Sequence, residues 1–166
     1  MALFMFRGTG SAYWLPDSEE VAEGGPTTAQ IADAVDLTDG VNGMSGFEPS
    51  SSPINVSVLR SRQSLQIPGE RTFGNPQIVV VEDDGTDSTA VARQLILATL
   101  EEDESGTLVI FRNTQDPATG DTCYWMRASV DSQVPSFTLD AAAATTAINL
   151  APQEALKKGV LDPASS

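Results

Sequence analysis

The hydrophobic pattern in the middle of the chain predicts a strand, a helix and a second strand in succession. Runs of four apolar residues occupy positions 78–81 and 108–111, where a half-exposed strand would alternate with polar residues. Both faces of the sheet that contains these two strands are therefore expected to be covered. Between them, apolar residues recur with helical spacing over residues 90–100, and Asp87 or Ser88 is a suitable N-terminal cap.

The apolar arc of this helix is wider than the single stripe that one core contact requires. On a helical wheel the arc contains Val91, Ala92, Leu95, Ile96, Ala98, Thr99 and Leu100. Leu97 falls on the opposite side, together with Arg93, Gln94 and Glu101. The helix is thus expected to contact more than one surface, and Leu97 either packs within its own subunit or meets a neighbouring molecule.

Weaker strand patterns flank this central unit. They cover residues 2–6, 29–37, 54–67, 124–130, 136–140 and 148–150. The spacing in the second of these segments also fits a short helix, and the third is either one strand or a hairpin. The acidic run 101–104 is unfavourable at a helix C-terminus, so Gly106 is expected to begin the next turn, and a further turn is predicted at 116–121.

Glycine and proline divide the rest of the chain into loops. A loop-rich N-terminal arm is expected over about residues 7–28, anchored by Tyr13 and Trp14, with a long loop over about 38–53 and a C-terminal tail over about 153–166. The length of 166 residues suits one domain with a sizeable core. Strands on both sides of one good helix predict a mainly β fold, a β-sandwich or partly closed barrel with one packed α-helix.

The chain carries 23 acidic and 9 basic residues, which gives a formal net charge of −14. Such a surface is unsuited to tight binding of nucleic acid phosphates or of anionic membranes. No stretch approaches the roughly 20 apolar residues that cross a bilayer. The one basic cluster is Arg60, Arg62 and Arg71, which either pair with neighbouring acids or reach phosphates.

Catalytic and metal-binding chemistry has little support in this sequence. The chain has no histidine and a single cysteine, Cys123, which excludes the usual zinc sites, Cys–His pairs and Ser-His-Asp triads. The Gly8-Thr9-Gly10 segment lacks the third glycine of a dinucleotide site, because Tyr13 occupies that position. Carboxylates at 82–87 do not have the spacing of a helix-loop-helix calcium loop. We therefore expect no cofactor, no metal and no enzymatic activity.

Several segments follow each other in a characteristic order. They are Ala-Asp-Ala-Val-Asp-Leu-Thr at 32–38, Leu-Arg-Ser-Arg at 59–62, Ile-Pro-Gly-Glu-Arg-Thr-Phe-Gly-Asn-Pro at 67–76, the strand, helix and strand that come next, and an ending that runs from Ala-Pro-Gln at 151–153 to Gly-Val-Leu at 159–161. This order, over residues 27–161, resembles the tail tube, or major tail, proteins of long-tailed, non-contractile bacteriophages.

The resemblance implies stacked hexameric rings that form the hollow tube through which viral DNA passes into the host, with a fold shared by the tubes of contractile injection systems. It implies as partners further copies of the chain, the tape measure, tail terminator and baseplate proteins, and double-stranded DNA that passes without specific binding; no membrane insertion is expected. The protein would be made in the host cytoplasm, in agreement with its lone cysteine, and located in the virion tail. The candidate subunit contacts are Leu97, Arg60, Arg62, Arg71, Phe73 and Phe47.

Two questions stay open at the level of sequence. The acidic charge either lets a tube lumen repel DNA phosphates or serves solubility alone. The alternative function is a monomeric β-sandwich module that binds carbohydrate or calcium, for which Tyr13, Trp14, Tyr124 and Trp125 are the polar aromatic residues available.

Overall fold

The computed structural model describes residues 8–57, 65–137 and 143–162, except for the side chain of Phe73. In these residues the elements are β1 (Ser11–Pro16), α1 (Thr28–Asp33), β2 (Val35–Asp36), β3 (Val41–Ser45), β4 (Pro49–Ser51), β5 (Ile54–Val56), β6 (Leu65–Ile67), β7 (Arg71–Phe73), β8 (Gln77–Val81), α2 (Ser88–Thr99), β9 (Ser105–Phe111), β10 (Thr122–Pro135), β11 (Thr145–Pro152) and β12 (Lys157–Val160). The fold is mainly β, as the sequence predicted.

An antiparallel sheet in the order β2-β1-β9-β10-β11-β8-β3 forms the body of the molecule. Its longest strand, β10, pairs with β9 along its first part, with Tyr124 opposite Ile110. The other edge of β10 is shared by β12 and β11, which pair with its beginning and its end respectively. β10 therefore runs the length of the body.

The two end strands of the sheet are consecutive in sequence, which shows that the sheet is strongly curved. β2 ends at Asp36 and β3 begins at Val41, so the connecting chain reaches at most about 18 Å. Seven flat strands would hold the end strands about 29 Å apart. The sheet therefore curls into a partly closed barrel, and the backbone N–H of Val81 donates to Gly40 O at 2.9 Å next to the junction.

Helix α2 lies over this junction, because it packs on both β2 and β8. The predicted helix and its cap are confirmed: Asp87 is the N-cap, and its Oδ1 accepts from Ala90 N at 2.8 Å. Gly40 makes room for the helix, since a Cβ at that position would lie 2.4 Å from Ile96 Cδ1.

The two faces of the sheet bury two groups of side chains. The main cluster, inside the barrel, contains Ala12, Trp14, Leu37, Ile78, Val80, Ile96, Leu100, Leu108, Met126, Ala128, Val130, Ile148 and Leu150. The second cluster, on the other face, contains Tyr13, Leu15, Val109, Phe111, Cys123, Trp125 and Leu161. Coverage of both faces is thus confirmed for β9, whereas β8 buries one face and leaves Val79 and Val81 half-buried.

The second cluster is covered by a short helix that the sequence pattern left open. Residues 28–33 form α1 where a strand was predicted, because Thr27 and Gln30 make a capping box in which each side chain accepts from the other's backbone N–H. Ile31 and Ala34 then pack on the second cluster. Residues 8–57, 65–137 and 143–162 therefore contain two helices where the sequence predicted one.

Three segments predicted as loops contain strands. The N-terminal segment predicted as loop-rich at 7–28 includes β1, the loop at 38–53 includes β3 and β4, and the tail at 153–166 includes β12. These strands are short or carry polar residues, so their pairing with distant strands, not their own pattern, decides their structure. Tyr13 and Trp14 are indeed anchors, since both are buried in β1.

Further predictions differ at strand ends. Gly106 lies inside β9 and not in a turn, because it pairs with Pro16 on one side and Ala128 on the other. A glycine is needed there, since a Cβ would lie 2.6 Å from Trp14 Cε2. β10 ends at Pro135, so residues 136 and 137 follow the strand and do not begin the strand predicted at 136–140; residues 138–140 and 2–6 lie outside the described residues. The strand at 148–150 is confirmed within β11, and β12 follows it.

Residues 49–57 and 65–73 form two successive pairs of antiparallel strands, here called the arm. β4 pairs with β7 at its base and β5 pairs with β6 further out, which confirms the hairpin alternative for 54–67; residues 58–64 lie outside the described part. Neither helix in the described residues is long and apolar enough to cross a membrane.

Candidate interaction surfaces

The outer part of the arm is amphipathic. Cross-strand pairing places Ile54 opposite Ile67 and Val56 opposite Leu65 on one face. The opposite face carries a polar pair, Asn55 and Gln66. Leu65 is 58% exposed, and Ile54 and Ile67 are exposed to a similar extent, so the apolar face is not covered by the described residues.

The base of the arm is held by close backbone contacts. Gly69 passes so near Ser52 that a Cβ would lie 2.0 Å from its carbonyl oxygen, and Ser52 N donates to Glu70 O at 3.2 Å. Gly46, which precedes the arm, has φ +79°, and a Cβ there would lie 2.2 Å from Asn75 O. The two sides of the arm are therefore held together at its base, while its apolar face remains open.

Helix α2 presents a second uncovered surface. Val91, Leu95 and Ala98 are exposed and follow each other at helical spacing, and we call them the α2 stripe. Leu95 is 54% exposed. The buried side of the helix carries Ile96 and Leu100.

The rotation of α2 about its axis is set on its buried side. Leu97 is half-buried and packs against the main cluster, so it is not the exposed residue that the helical wheel indicated. The Gln133 side chain donates to the carbonyl oxygens of Leu97 and Leu100, which fixes the end of the helix against β10. The role of Leu97 as a subunit contact stays a prediction.

The acidic turn before α2 has structural partners. Asp83 accepts from the backbone N–H of Gly85 and pairs with Arg93 at 2.9 Å, and these contacts lower the pKa of Asp83. Gln94 donates to the carbonyl oxygens of Asp83 and Gly85. Among the described residues, no group of three or more His, Cys, Asp or Glu side chains is arranged to hold a metal ion.

The predicted basic cluster is only partly visible. Arg71 lies in β7 and is exposed, whereas Arg60 and Arg62 fall outside the described residues. Phe73 ends β7, with its backbone opposite Pro49. These residues stay predictions as subunit contacts.

Phe47 lies at an apolar groove of about 270 Å³, close to the base of the arm. The groove is lined by Met44, Phe47, Ile110, Arg112, Tyr124 and Leu156. All except Arg112 are half-buried apolar or aromatic residues. No sequence pattern predicts this groove, because its walls come from four separate segments.

A wider groove of about 610 Å³ is polar and acidic. Its walls include Asp17, Glu20 and Glu23, and its two basic residues are paired: Arg127 with Asp17 at 2.5 Å and Lys157 with Glu154 at 2.9 Å. Trp125 in the same groove is only 2% exposed. Tyr13 and Trp14 are buried as well, so three of the four polar aromatic residues offer no platform for a sugar ring.

Cys123 is buried in the second cluster, and burial raises the pKa of its thiol to about 11. A neutral, enclosed thiol is a poor nucleophile and a poor metal ligand. Its role is therefore packing.

Comparison with known proteins gives a family and a fold. A family model described as phage tail tube protein matches residues 1–164, while a search of curated proteins found no match. A chain of the sheath/tube terminator of an extracellular contractile injection system (PVC) in the extended state is 15% identical, with 95% of this chain and 98% of that chain covered and a TM-score of 0.58.

Two further solved structures have a similar fold. A chain of the PVC sheath–tube complex is 14% identical over 92% of this chain and 88% of that chain, with a TM-score of 0.55. A chain of the anti-feeding prophage baseplate is 12% identical over 95% of this chain and 97% of that chain, also with a TM-score of 0.55. At 12–15% identity, these solved structures show that this chain shares their fold. Two of them come from a contractile injection system.

Proposed function

Because the chain belongs to the phage tail tube protein family, we propose that it is a structural, non-enzymatic virion protein that polymerises as stacked hexameric rings into the hollow tail tube through which viral DNA passes. Within the subunit, the proposal rests above all on the uncovered apolar face of the arm. Ile54, Leu65 and Ile67 are more than half exposed on a hairpin that is fixed at its base. A two-stranded hairpin is marginally stable alone, so contact with another copy is what stabilises this arm.

We propose that the α2 stripe and the arm make contacts in two different directions. The α2 stripe lies on the body of the subunit, and we assign it to lateral contacts between neighbours in a ring. The arm projects from the body, and we assign it to contacts that extend beyond the subunit's own ring position. Both are heterologous contacts, which close into rings or continue into filaments.

The charge of the chain is compatible with a tube that carries DNA. With a net charge of −14, the tube wall repels phosphates at the distances that ionic screening allows, about 8 Å at physiological salt. DNA then passes without adsorbing to the wall. We also propose that the chain is a single domain, that it is made in the host cytoplasm and that it is then located in the virion tail.

We propose tail terminator, baseplate and tape measure proteins as partners at the ends and in the lumen of the tube. Similar folds in a terminator structure and in a baseplate structure support the first two. We also assign the chain to a non-contractile tail, on the order of its sequence segments. The fold itself does not distinguish the two tail types, and the presence or absence of a sheath on isolated virions tests this assignment.

Electron microscopy of the purified protein in negative stain, with light scattering on the same sample, tests the central proposal. We expect rings or hollow tubes from the natural sequence. Leu65→Glu places a carboxylate on the apolar face of the arm and should abolish tubes, because that charge loses its water on contact with another copy. Gln66→Glu adds the same charge on the opposite face of the same strand and should assemble normally.

The outcome separates the two candidate functions. A protein that stays monomeric at high concentration, with tail assembly partners added, would contradict the tube proposal and favour the monomeric binding module. Equal assembly of the two variants would show that the apolar face of the arm makes no contact between copies.

A further inference from the structure

Phe137 is the most exposed large apolar residue in the described part of the chain. It is 87% exposed and lies two residues after the end of β10. Ser136 N donates to Thr145 O at 2.8 Å, so the backbone beside Phe137 is held against the start of β11. A phenylalanine exposed to water beside a paired strand end is typical of a contact residue.

The apolar groove lies at the other end of the same strand. Tyr124, in its wall, is the third residue of β10, and Phe137 is two residues beyond the last. At the usual rise per residue, about 40 Å of strand separates them. The groove volume of about 270 Å³ is below the roughly 300 Å³ at which small-molecule pockets begin, and it suits one aromatic side chain.

The charges around the two features are complementary. Glu82 and Asp84 line one depression with Ala144, next to the start of β11, and Glu82 N donates to Ala144 O at 2.9 Å. Asp83 in the same depression is paired with Arg93. The described residues that line the groove include Arg112 and no carboxylate, although acids outnumber bases 23 to 9 in the chain.

Lys158 adds a second positive charge beside the groove, because it is paired with Tyr124 across the ladder of β10 and β12. An acidic end with an exposed phenylalanine and an apolar groove with a basic rim therefore lie at opposite ends of one strand. Opposite charges at the two ends favour contact between unlike ends and disfavour contact between like ends.

We propose that Phe137 of one copy inserts into the groove formed by Met44, Phe47, Ile110, Tyr124 and Leu156 of the next copy, so that copies stack head to tail along the direction of β10. The inference rests on the proposed function and assigns the residues of the contact between successive rings. Because the two features are at opposite ends of the subunit, copies related by a translation repeat the contact without limit.

Phe137→Ala is the first test. We expect single rings to persist and tubes to be lost in negative-stain images, with the affinity between rings weakened about tenfold or more. Val134→Ala is the matched control, because Val134 is a half-exposed apolar residue near the same end of β10. Tubes of normal length from Phe137→Ala would overturn the inference.

A cross-linking experiment tests the partner of Phe137 directly. The double variant Ser136→Cys/Ala155→Cys keeps Phe137 and the groove residues and places one exposed thiol beside each. It is treated with a short bis-maleimide, while buried Cys123 stays unreactive. A ladder of dimers, trimers and larger species is expected in denaturing gels, and neither single variant should give it. No ladder from a sample that contains tubes, or a product that stops at the dimer, would overturn head-to-tail stacking through this contact.

The two levels of the proposal fail in different ways. If the natural sequence forms tubes and the double variant forms tubes without a ladder, the inference fails and the proposed function stands. If the natural sequence forms neither rings nor tubes, both are overturned.

Discussion

At the scale of single residues, the burial of Cys123 makes the free energy of unfolding depend on the ionisation of its thiol. Its side chain is 0% exposed, and its pKa is raised to about 11, whereas the thiol of an unfolded chain ionises near pH 8.5. Between these values the unfolded chain has released the proton and the folded chain has kept it, so the free energy of unfolding falls as the pH rises. A difference of about 2.5 pKa units corresponds to roughly 3 kcal/mol by pH 11.

Urea unfolding of the natural protein and of Cys123→Ala, from pH 7 to 11, measures this effect. The variant removes the thiol and leaves the other titrating groups in place, including Tyr13, whose pKa is also raised by burial. We expect the difference in unfolding free energy between the two proteins to be constant up to about pH 8 and to change in favour of the variant above it. A difference that stays constant to pH 11 would contradict a neutral, buried thiol.

Other residues show what sequence can and cannot reveal at this scale. The cap at Asp87 was predictable, because its hydrogen bond is made to a residue three positions away. The place of Gly106 was not, because the ring that excludes a side chain there belongs to Trp14, on a different strand. Local contacts follow from spacing, whereas contacts between strands require the fold.

At the scale of elements, the N-cap of α2 carries a measurable share of stability. Asp87→Ala removes the acceptor for Ala90 N and should lower the free energy of unfolding by about 1 kcal/mol. Asp84→Ala removes a carboxylate from the same turn and leaves the cap intact, so it should change stability by less than about 0.5 kcal/mol. Urea denaturation followed by circular dichroism measures both. Equal losses would indicate that charge and not capping is responsible.

Prediction of elements succeeded where the local pattern and the fold agree. Helix α2 and strands β8 and β9 have strong apolar patterns and were found with small errors at their ends. Helix α1 was left open as an alternative to a strand, because its six residues are too short for a helical period and depend on the Thr27 capping box. β12 was missed because Lys157 and Lys158 do not form a strand pattern. These residues form a strand because they pair with β10.

At the scale of the whole molecule, the order of segments predicted the tail tube family and its mainly β fold, and both are confirmed. The surfaces for assembly were harder to predict. A helical wheel shows which residues share a face, but packing decides which face turns inward. Ile96 and Leu100 are buried, so Leu95 points outward and Leu97 is half-buried.

The α2 stripe provides the last prediction. Leu95→Glu places a carboxylate in the middle of the stripe and should reduce ring formation at least about tenfold, because a charge at an apolar contact must lose its water without a partner. Leu95 is 54% exposed in the subunit, so folding stability should change by no more than about 0.5 kcal/mol. Thr89→Glu adds the same charge at an exposed position of the same helix outside the stripe and should form rings normally. Light scattering for assembly and urea denaturation for stability measure the two effects, and equal ring formation by both variants would assign the lateral contact to another surface.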